Sequence, residues 1–291
     1  MIITNNYNLP EAVLNVISRD NYVRGDNNYS VTELIEAPQV VQLKRRHWND
    51  LTEDAIDRVW SVFGHAVHHL METHASDESF VEQRYYINRL GRTIGGMVDC
   101  YNDGVISDYK VTSAWSLVYG SREEHWAQQL NMYAHILREN GVPVTKLQIV
   151  AFLRDWDRNK AKQDRNYPQV PLMIIPIDLW DSSRAELYIT ERLSLHIANE
   201  EVDASSLRPC TSEEMWERPS TFAVKKEGRK TAVRVFDDYV DAVEYVDSAK
   251  DSNFLFIETR VGKRTRCEDY CSMNAYCKQY QNYIALCESL V

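Results

Sequence analysis

Apolar and polar positions alternate between Gly95 and Lys110, in GGMVDCYNDGVISDYK. Met97 to Tyr101 and Val105 to Tyr109 carry β-branched or aromatic residues, and Asn102, Asp103 and Gly104 between them supply a turn, so the stretch predicts a β-hairpin. With Asp103 and Gly104 central in a type I′ turn, Asn102 pairs with Val105, Tyr101 with Ile106 and Cys100 with Ser107. One step further, Asp99 falls opposite Asp108, and the period of two puts Lys110 on the face of Asp108. Helical spacing governs other segments. A helix is expected from about Thr52 as its N-cap, with Glu53 and Asp54 in the first turn and a stripe of Ile56, Val59, Trp60, Phe63, Val67, Leu70 and Met71. Gly64 and His68, one turn apart, fall beside that stripe. Phe80 to Leu90 reads as a strand carrying Glu82. A second helix is expected from about Arg122 to Glu139, with Asn140, Gly141 and Pro143 as its stop signal. Lys146 to Leu153 and Leu172 to Ile177 read as strands, and Trp180 to Glu200 as a helix.

This order of elements divides the chain into three. Residues 1–50 read as an N-terminal extension of mixed character, and residues 51–202 as the main α/β domain. Composition changes near Asp203, where a strand pair around FAVKKEGRKTAVRVF turns at Glu227 and Gly228, followed by a helix from Tyr239 to Ser248, a strand FLFIET and three clustered cysteines. Residues 203–291 are therefore expected as a small α+β domain.

Composition narrows the class. A chain of 291 residues can bury a full core. Its net charge of −10 argues against a protein that coats nucleic acid over its whole surface, while a local basic patch is allowed. No apolar run is long enough to span a membrane and MIITNNYNLPEAV lacks a signal-peptide pattern, so no membrane association and a cytoplasmic location are expected. Six unevenly spaced cysteines do not make a disulfide scaffold, and their clustering suggests metal.

The chemistry begins with the hairpin. Two carboxylates facing one another across a strand pair repel. A divalent cation removes that problem, and Asp99, Asp108 and Lys110 together can hold a hard cation, bind a phosphate and position or deprotonate a water. Solvated acids on a surface hairpin are the plain alternative. Glu82 adds a carboxylate from the preceding strand. His68 can add a nitrogen ligand that favours manganese, although His65 and His69 lie close by. Gln129 and Tyr133, four apart, share one helical face; they suit contact with a phosphate or with Lys110, or else a helix edge with Tyr133 in the core.

Gly64 with His68, Glu82, GGMVD ending in Asp99, DYK from Asp108 to Lys110, and QLNMY from Gln129 to Tyr133 resemble in order and spacing the motifs of RecB-like nucleases of the PD-(D/E)XK superfamily. The likeness covers about residues 50–195 and is nearest to phage exonucleases and the nucleases of CRISPR adaptation. It implies a restriction-endonuclease-like core, a mixed central sheet flanked by helices. It also implies roles: Asp99, Asp108 and His68 as ligands of Mg2+ or Mn2+, Glu82 beside them, Lys110 acting on the attacking water, and Gln129 and Tyr133 positioning substrate or the lysine.

Cys267-x3-Cys271-x5-Cys277 resembles the cysteine tail of the iron-sulfur members of that family, which implies a 4Fe-4S cluster. The fourth cysteine of those proteins precedes the nuclease core, yet residues 1–99 contain none. Cys210 is expected in its place, with Cys287 or a partner ligand as alternatives, and zinc in a four-cysteine site is the rival metal. Cys100 reads as a core thiol. Lys225, Lys226, Arg229, Lys230 and Arg264 are candidate phosphate contacts, and Trp216 and Tyr270 candidate stacking residues; a solvated basic hairpin is the alternative. The resemblance thus implies a metal-dependent DNA exonuclease acting on ends or single strands. Its implied setting is phage or mobile-element recombination in the bacterial cytoplasm, alongside a single-strand annealing protein. An inactive DNA-binding or assembly module, or a CRISPR-adaptation trimming nuclease, are the alternatives.

Overall fold

In the computed structural model, which describes residues 1–18, 25–76, 79–120 and 123–289, Asp103 and Gly104 both take left-handed backbone, with φ of 44° and 81°. That pair of positive angles is the type I′ turn, whose twist matches the strands it joins. The hairpin pairs Asn102 with Val105, Tyr101 with Ile106 and Cys100 with Ser107, as counting outwards from the turn predicts.

Six strands form the sheet around this hairpin: β1 (Tyr29–Ser30), β2 (Phe80–Arg89), β3 (Arg92–Asn102), β4 (Val105–Thr112), β5 (Lys146–Leu153) and β6 (Leu172–Ile177). β2 lies antiparallel along one edge of β3. The other edge of β3 is shared, with β1 parallel to Ile94 and Gly95 and β4 antiparallel to Cys100 through Asn102. β5 runs parallel to β4, and β6 antiparallel to β5. The sheet is thus mixed, and helices flank it. α1 (Val31–Ile35) follows β1 with a capping box between Ser30 and Glu33, and α2 (Pro38–His47) buries Val41 and Leu43. α3 (Val59–Thr73), α4 (Glu123–Glu139) and α5 (Ser182–Ile197) complete the set.

The core lies under β3 to β5. Leu130, Tyr133, Ile136 and Leu137 of α4 are buried in one cluster with Ile94, Val98 and Tyr101 of β3, Ile106 of β4, Leu147 and Ile149 of β5, and Ile189 and Leu193 of α5. Gly96 permits the closest approach of sheet and helix: a Cβ there would lie 2.9 Å from the Tyr133 ring.

Two expectations shift. The helix expected from Thr52 begins at Val59, after a 3-10 turn over Ala55–Arg58 capped by Asp54. Thr52–Asp54 is instead a short strand parallel to Ile2–Thr4. The Asp54 carboxylate accepts from the Thr4 hydroxyl and the Asn6 amide, both at 2.8 Å, and so holds its own segment extended. The first fifty residues, expected as an extension, belong to the compact unit 1–202 and supply β1, α1 and α2. The helix expected from about Arg122 is described from Glu123, and Arg122 itself lies outside the described residues.

Residues 203–291 form a second compact unit. Its sheet centres on β7 (Thr221–Lys226), flanked antiparallel by β8 (Arg234–Phe236) and β9 (Leu255–Arg260). α6 (Tyr239–Ser248) packs against this sheet, and α7 (Lys278–Ser289) follows the last clustered cysteine. Among the described residues no helix is long and apolar enough to cross a membrane.

Candidate active site

Both ladders around β3 fail at one row. Val81 pairs with Cys100 and Gln83 with Val98, but the Glu82 and Asp99 between them form no bridge, and Glu82 has a φ of 49°. On the other edge the pairing of β3 with β4 stops at Cys100 and Ser107. Asp99 and Asp108 therefore do not form the bonded pair that the register extrapolates to. Two largely buried carboxylates in direct opposition would repel, and the strands part at that row.

Parting leaves backbone groups that need partners. The Tyr109 amide donates to Asp99 Oδ2 at 2.9 Å, and His68 Nε2 lies 2.9 Å from the Tyr109 carbonyl oxygen. Two side chains of the candidate site thus replace the lost ladder. Sequence reasoning did not find Tyr109, because its part is played by the backbone and leaves no side-chain signal. A left-handed φ at a non-glycine residue costs on the order of 1–3 kcal/mol and persists where surroundings enforce it, often at functional sites. Glu82 is such a residue.

The side chains converge at this break. His68 Nδ1 is 3.5 Å from Glu82 Oε1 and 3.6 Å from Asp99 Oδ2. Among the described residues these three are the set of His, Cys, Asp or Glu side chains whose ligand atoms all lie within 4.8 Å of one another. Burial pushes the Asp99 carboxyl up to about 7, with the Asp108 charge adding to it. The hydrogen bond to Glu82 is the main cause that raises His68 to about 9, against the opposing effect of burial.

Asp108 is 1% exposed. Lys110 Nζ stands 2.6 Å from its Oδ2, but the approach lacks hydrogen-bond geometry, and neither carboxylate oxygen accepts a hydrogen bond. A buried carboxylate is expensive unless cations take up its charge, and Lys110 stands as an ion-pair partner at Oδ2. The donor set that the structure gathers, the Glu82 and Asp99 carboxylates and the His68 imidazole, suits magnesium or manganese, which bind hard oxygen ligands and keep positions for water and phosphate; Asp108, expected as a ligand, lies outside that set of ligand atoms. By this test the residues fit the ion that the motif resemblance implies.

Gln129 and Tyr133 are brought together, the Gln129 amide donating to the Tyr133 hydroxyl at 3.1 Å, both buried. Tyr133 lies in the core beneath Gly96, three residues before Asp99. Cys100, expected as a core thiol, is only half-buried.

In the second unit, burial pushes the Cys210 thiol up to about 12, and Glu214 and the Cys277, Cys271 and Cys267 thiols add to it. Cys267 is raised to about 11, again first by burial and then by Cys271 and Cys277. These four sense one another, whereas Cys287 is not among the groups that act on Cys210 or Cys267, and the Tyr283 hydroxyl beside it donates to the Gly262 carbonyl at 2.7 Å. Gln279 makes a reciprocal pair of 2.9 Å bonds with the backbone of Cys210, its Oε1 accepting from the amide and its Nε2 donating to the carbonyl.

The candidate phosphate contacts are partly neutralised. Lys225 pairs with Glu258 and Lys226 with Asp251, each at 2.6 Å, and Arg264 pairs with Glu217 at 2.9 Å while lying over Tyr283. Arg229 and Lys230 have no carboxylate partner among the described residues; the Arg229 guanidinium donates to Thr231. Trp216 and Tyr270 stand with ring centroids 5.3 Å apart, both exposed.

No protein-family model matches the chain, and no curated protein matches it. Solved structures similar to it include the protein SSO0001, at 18% identity with a TM-score of 0.47, over 71% of this chain and 91% of that one. An alkaline exonuclease from Laribacter hongkongensis is 10% identical with a TM-score of 0.38, over 59% of this chain and 89% of that one. A protein from Eubacterium rectale described as a candidate exonuclease is 14% identical with a TM-score of 0.32, over 58% and 68%.

Proposed function

We propose that the chain is a divalent-metal-dependent nuclease that hydrolyses DNA phosphodiester bonds, working at ends or on single strands. The observation that carries this reading is Asp108, a buried carboxylate with no hydrogen-bond donor on either oxygen, next to Lys110 and at the row shared with Glu82 and Asp99. Asp99, Asp108 and His68 would hold Mg2+ or Mn2+, with Glu82 beside them. Such an ion supplies positive charge to the phosphate oxygens and acidifies a water. His68 is oriented by the Tyr109 carbonyl on one ring nitrogen and turns the other toward Glu82 and Asp99, an arrangement that fixes a ligating imidazole. Lys110 Nζ, on the face of Asp108, would hold the attacking water or a phosphate oxygen by its N–H groups and stabilise the negative charge that develops on the phosphate oxygens as the phosphorus is attacked.

The second unit is read as a 4Fe-4S site built from Cys210, Cys267, Cys271 and Cys277. The proximity of the four thiols in one unit is what this reading starts from. Arg229 and Lys230 are the phosphate contacts this unit leaves unpaired.

The test is incubation of anaerobically purified protein with end-labelled linear DNA and manganese, single-stranded and duplex, beside Asp108→Ala. Loss of label by the native protein and not by the variant is expected. Equal degradation by both would remove the active-site assignment. Iron and sulfide in the purified protein are expected; zinc alone would replace the cluster and leave the nuclease.

A further inference from the structure

Gly64 occupies the interior of α3, where only proline is less favourable than glycine. Its backbone is not left-handed, and a Cβ added to it meets no atom within 4 Å. Neither conformation nor packing within the protein calls for the missing side chain.

Its neighbours along the helix surface supply a reason. Trp60, Gly64 and His68 follow one another at intervals of four and so form one row on α3. Trp60 is 55% and Phe63 53% exposed, with ring centroids 5.6 Å apart. The Arg154 guanidinium lies 4.6 Å from the Trp60 ring centre and has no ion pair among the described residues. The row therefore runs from an exposed aromatic pair with a cation, over a bare turn of helix, to the imidazole beside Asp99. Trp60 and His68 are about 12 Å apart along the axis at 1.5 Å per residue, the length of a few nucleotides.

We propose that this row is the track of a single DNA strand entering the candidate active site, an inference that rests on the nuclease reading and names its substrate path. A base stacks on Trp60 and Phe63, as unpaired bases do on exposed aromatic side chains. Arg154, stacked on the ring, offers its N–H edge to the adjoining phosphate. The strand then crosses α3 at Gly64, where any side chain would obstruct it. An apolar protein partner would cover the same rings but bury the Arg154 charge without a counterion, so charge complementarity favours the polyanion.

The test measures binding apart from cleavage. Fluorescein-labelled oligo(dT) is titrated with the full chain carrying Lys110→Ala in magnesium, by anisotropy, and Trp60→Ala, Trp60→Phe and Gly64→Leu are then added to that background. Trp60→Ala and Gly64→Leu are each expected to weaken binding about tenfold, while Trp60→Phe restores most of it. Gly64→Leu is expected to melt no lower than its parent, since the site has room and the helix gains a better former. Unchanged affinity in Gly64→Leu and Trp60→Ala overturns the track; if the chain without substitutions still cuts DNA, the nuclease reading survives that result. Absence of both cutting and oligonucleotide binding overturns both. Unchanged DNA binding with a shift in sedimentation would make the face a contact between protein copies and would likewise overturn the track.

Discussion

At Asp99 the protein holds a carboxyl group where burial disfavours its charge. The Asp99 carboxyl, raised to about 7, binds its proton more tightly folded than unfolded. Its contribution to metal-free stability is therefore present in acid and is lost as pH rises from about 4 through 7. Asp99→Asn should accordingly stabilise the metal-free protein by about 2 kcal/mol at pH 8 and have little effect at pH 4, measured by urea unfolding in chelator. A variant that is no more stable at pH 8 would show that the carboxylate carries no such penalty. His68, raised to about 9, holds a proton at neutral pH that a cation must displace. Manganese binding should release protons near pH 7 and tighten between pH 6 and 9. Calorimetry in buffers of different ionisation heat reads that release directly; a release of zero protons would remove His68 and Asp99 from the ligand set.

Among the elements, β3 does most to position the site, and Gly96 sets its depth. Gly96→Ala would drive a Cβ to 2.9 Å from the Tyr133 ring and should cost about 1–3 kcal/mol, read as a lower thermal midpoint. The hairpin register was legible because Asp103 and Gly104 name their turn, and a turn of known type dictates every pair beyond it until something stronger intervenes. What intervened, the break at Asp99 and Asp108, was not legible. It depends on the φ of Glu82 and on two backbone groups of Tyr109, and neither leaves a mark in the order of side chains. The row of acids was found because alternation along a strand is strict. The start of α3 was missed because Asp54 caps a turn that sequence spacing alone extends backward into a helix, while its partners Thr4 and Asn6 lie some fifty residues away. The apolar stripe of α3 was read correctly as a stripe, yet Trp60, Phe63 and Leu70 on it are exposed; periodicity reports which residues share a face and not what covers it.

For the whole molecule, a net charge of −10 sets the background against which any nucleic acid must bind. Local cations must supply the attraction, so its salt dependence counts them. Replacing Arg229 and Lys230 together by glutamate should weaken binding of duplex DNA and flatten the salt slope by about 2, while the same change at Lys225, already paired with Glu258, should do less. Equal slopes would return the hairpin to an ordinary solvated face. The clamp between Gln279 and Cys210 joins residues 69 positions apart. A metal bridging Cys210 to Cys277 would close about three quarters of the second unit, residues 210–277 of 203–291, into one covalent loop. Closing a loop of that length removes about 4 kcal/mol of chain entropy from the unfolded state. Loss of the metal would hand that freedom back at once, and the lifetime of the fold around those cysteines would become the lifetime of what they hold.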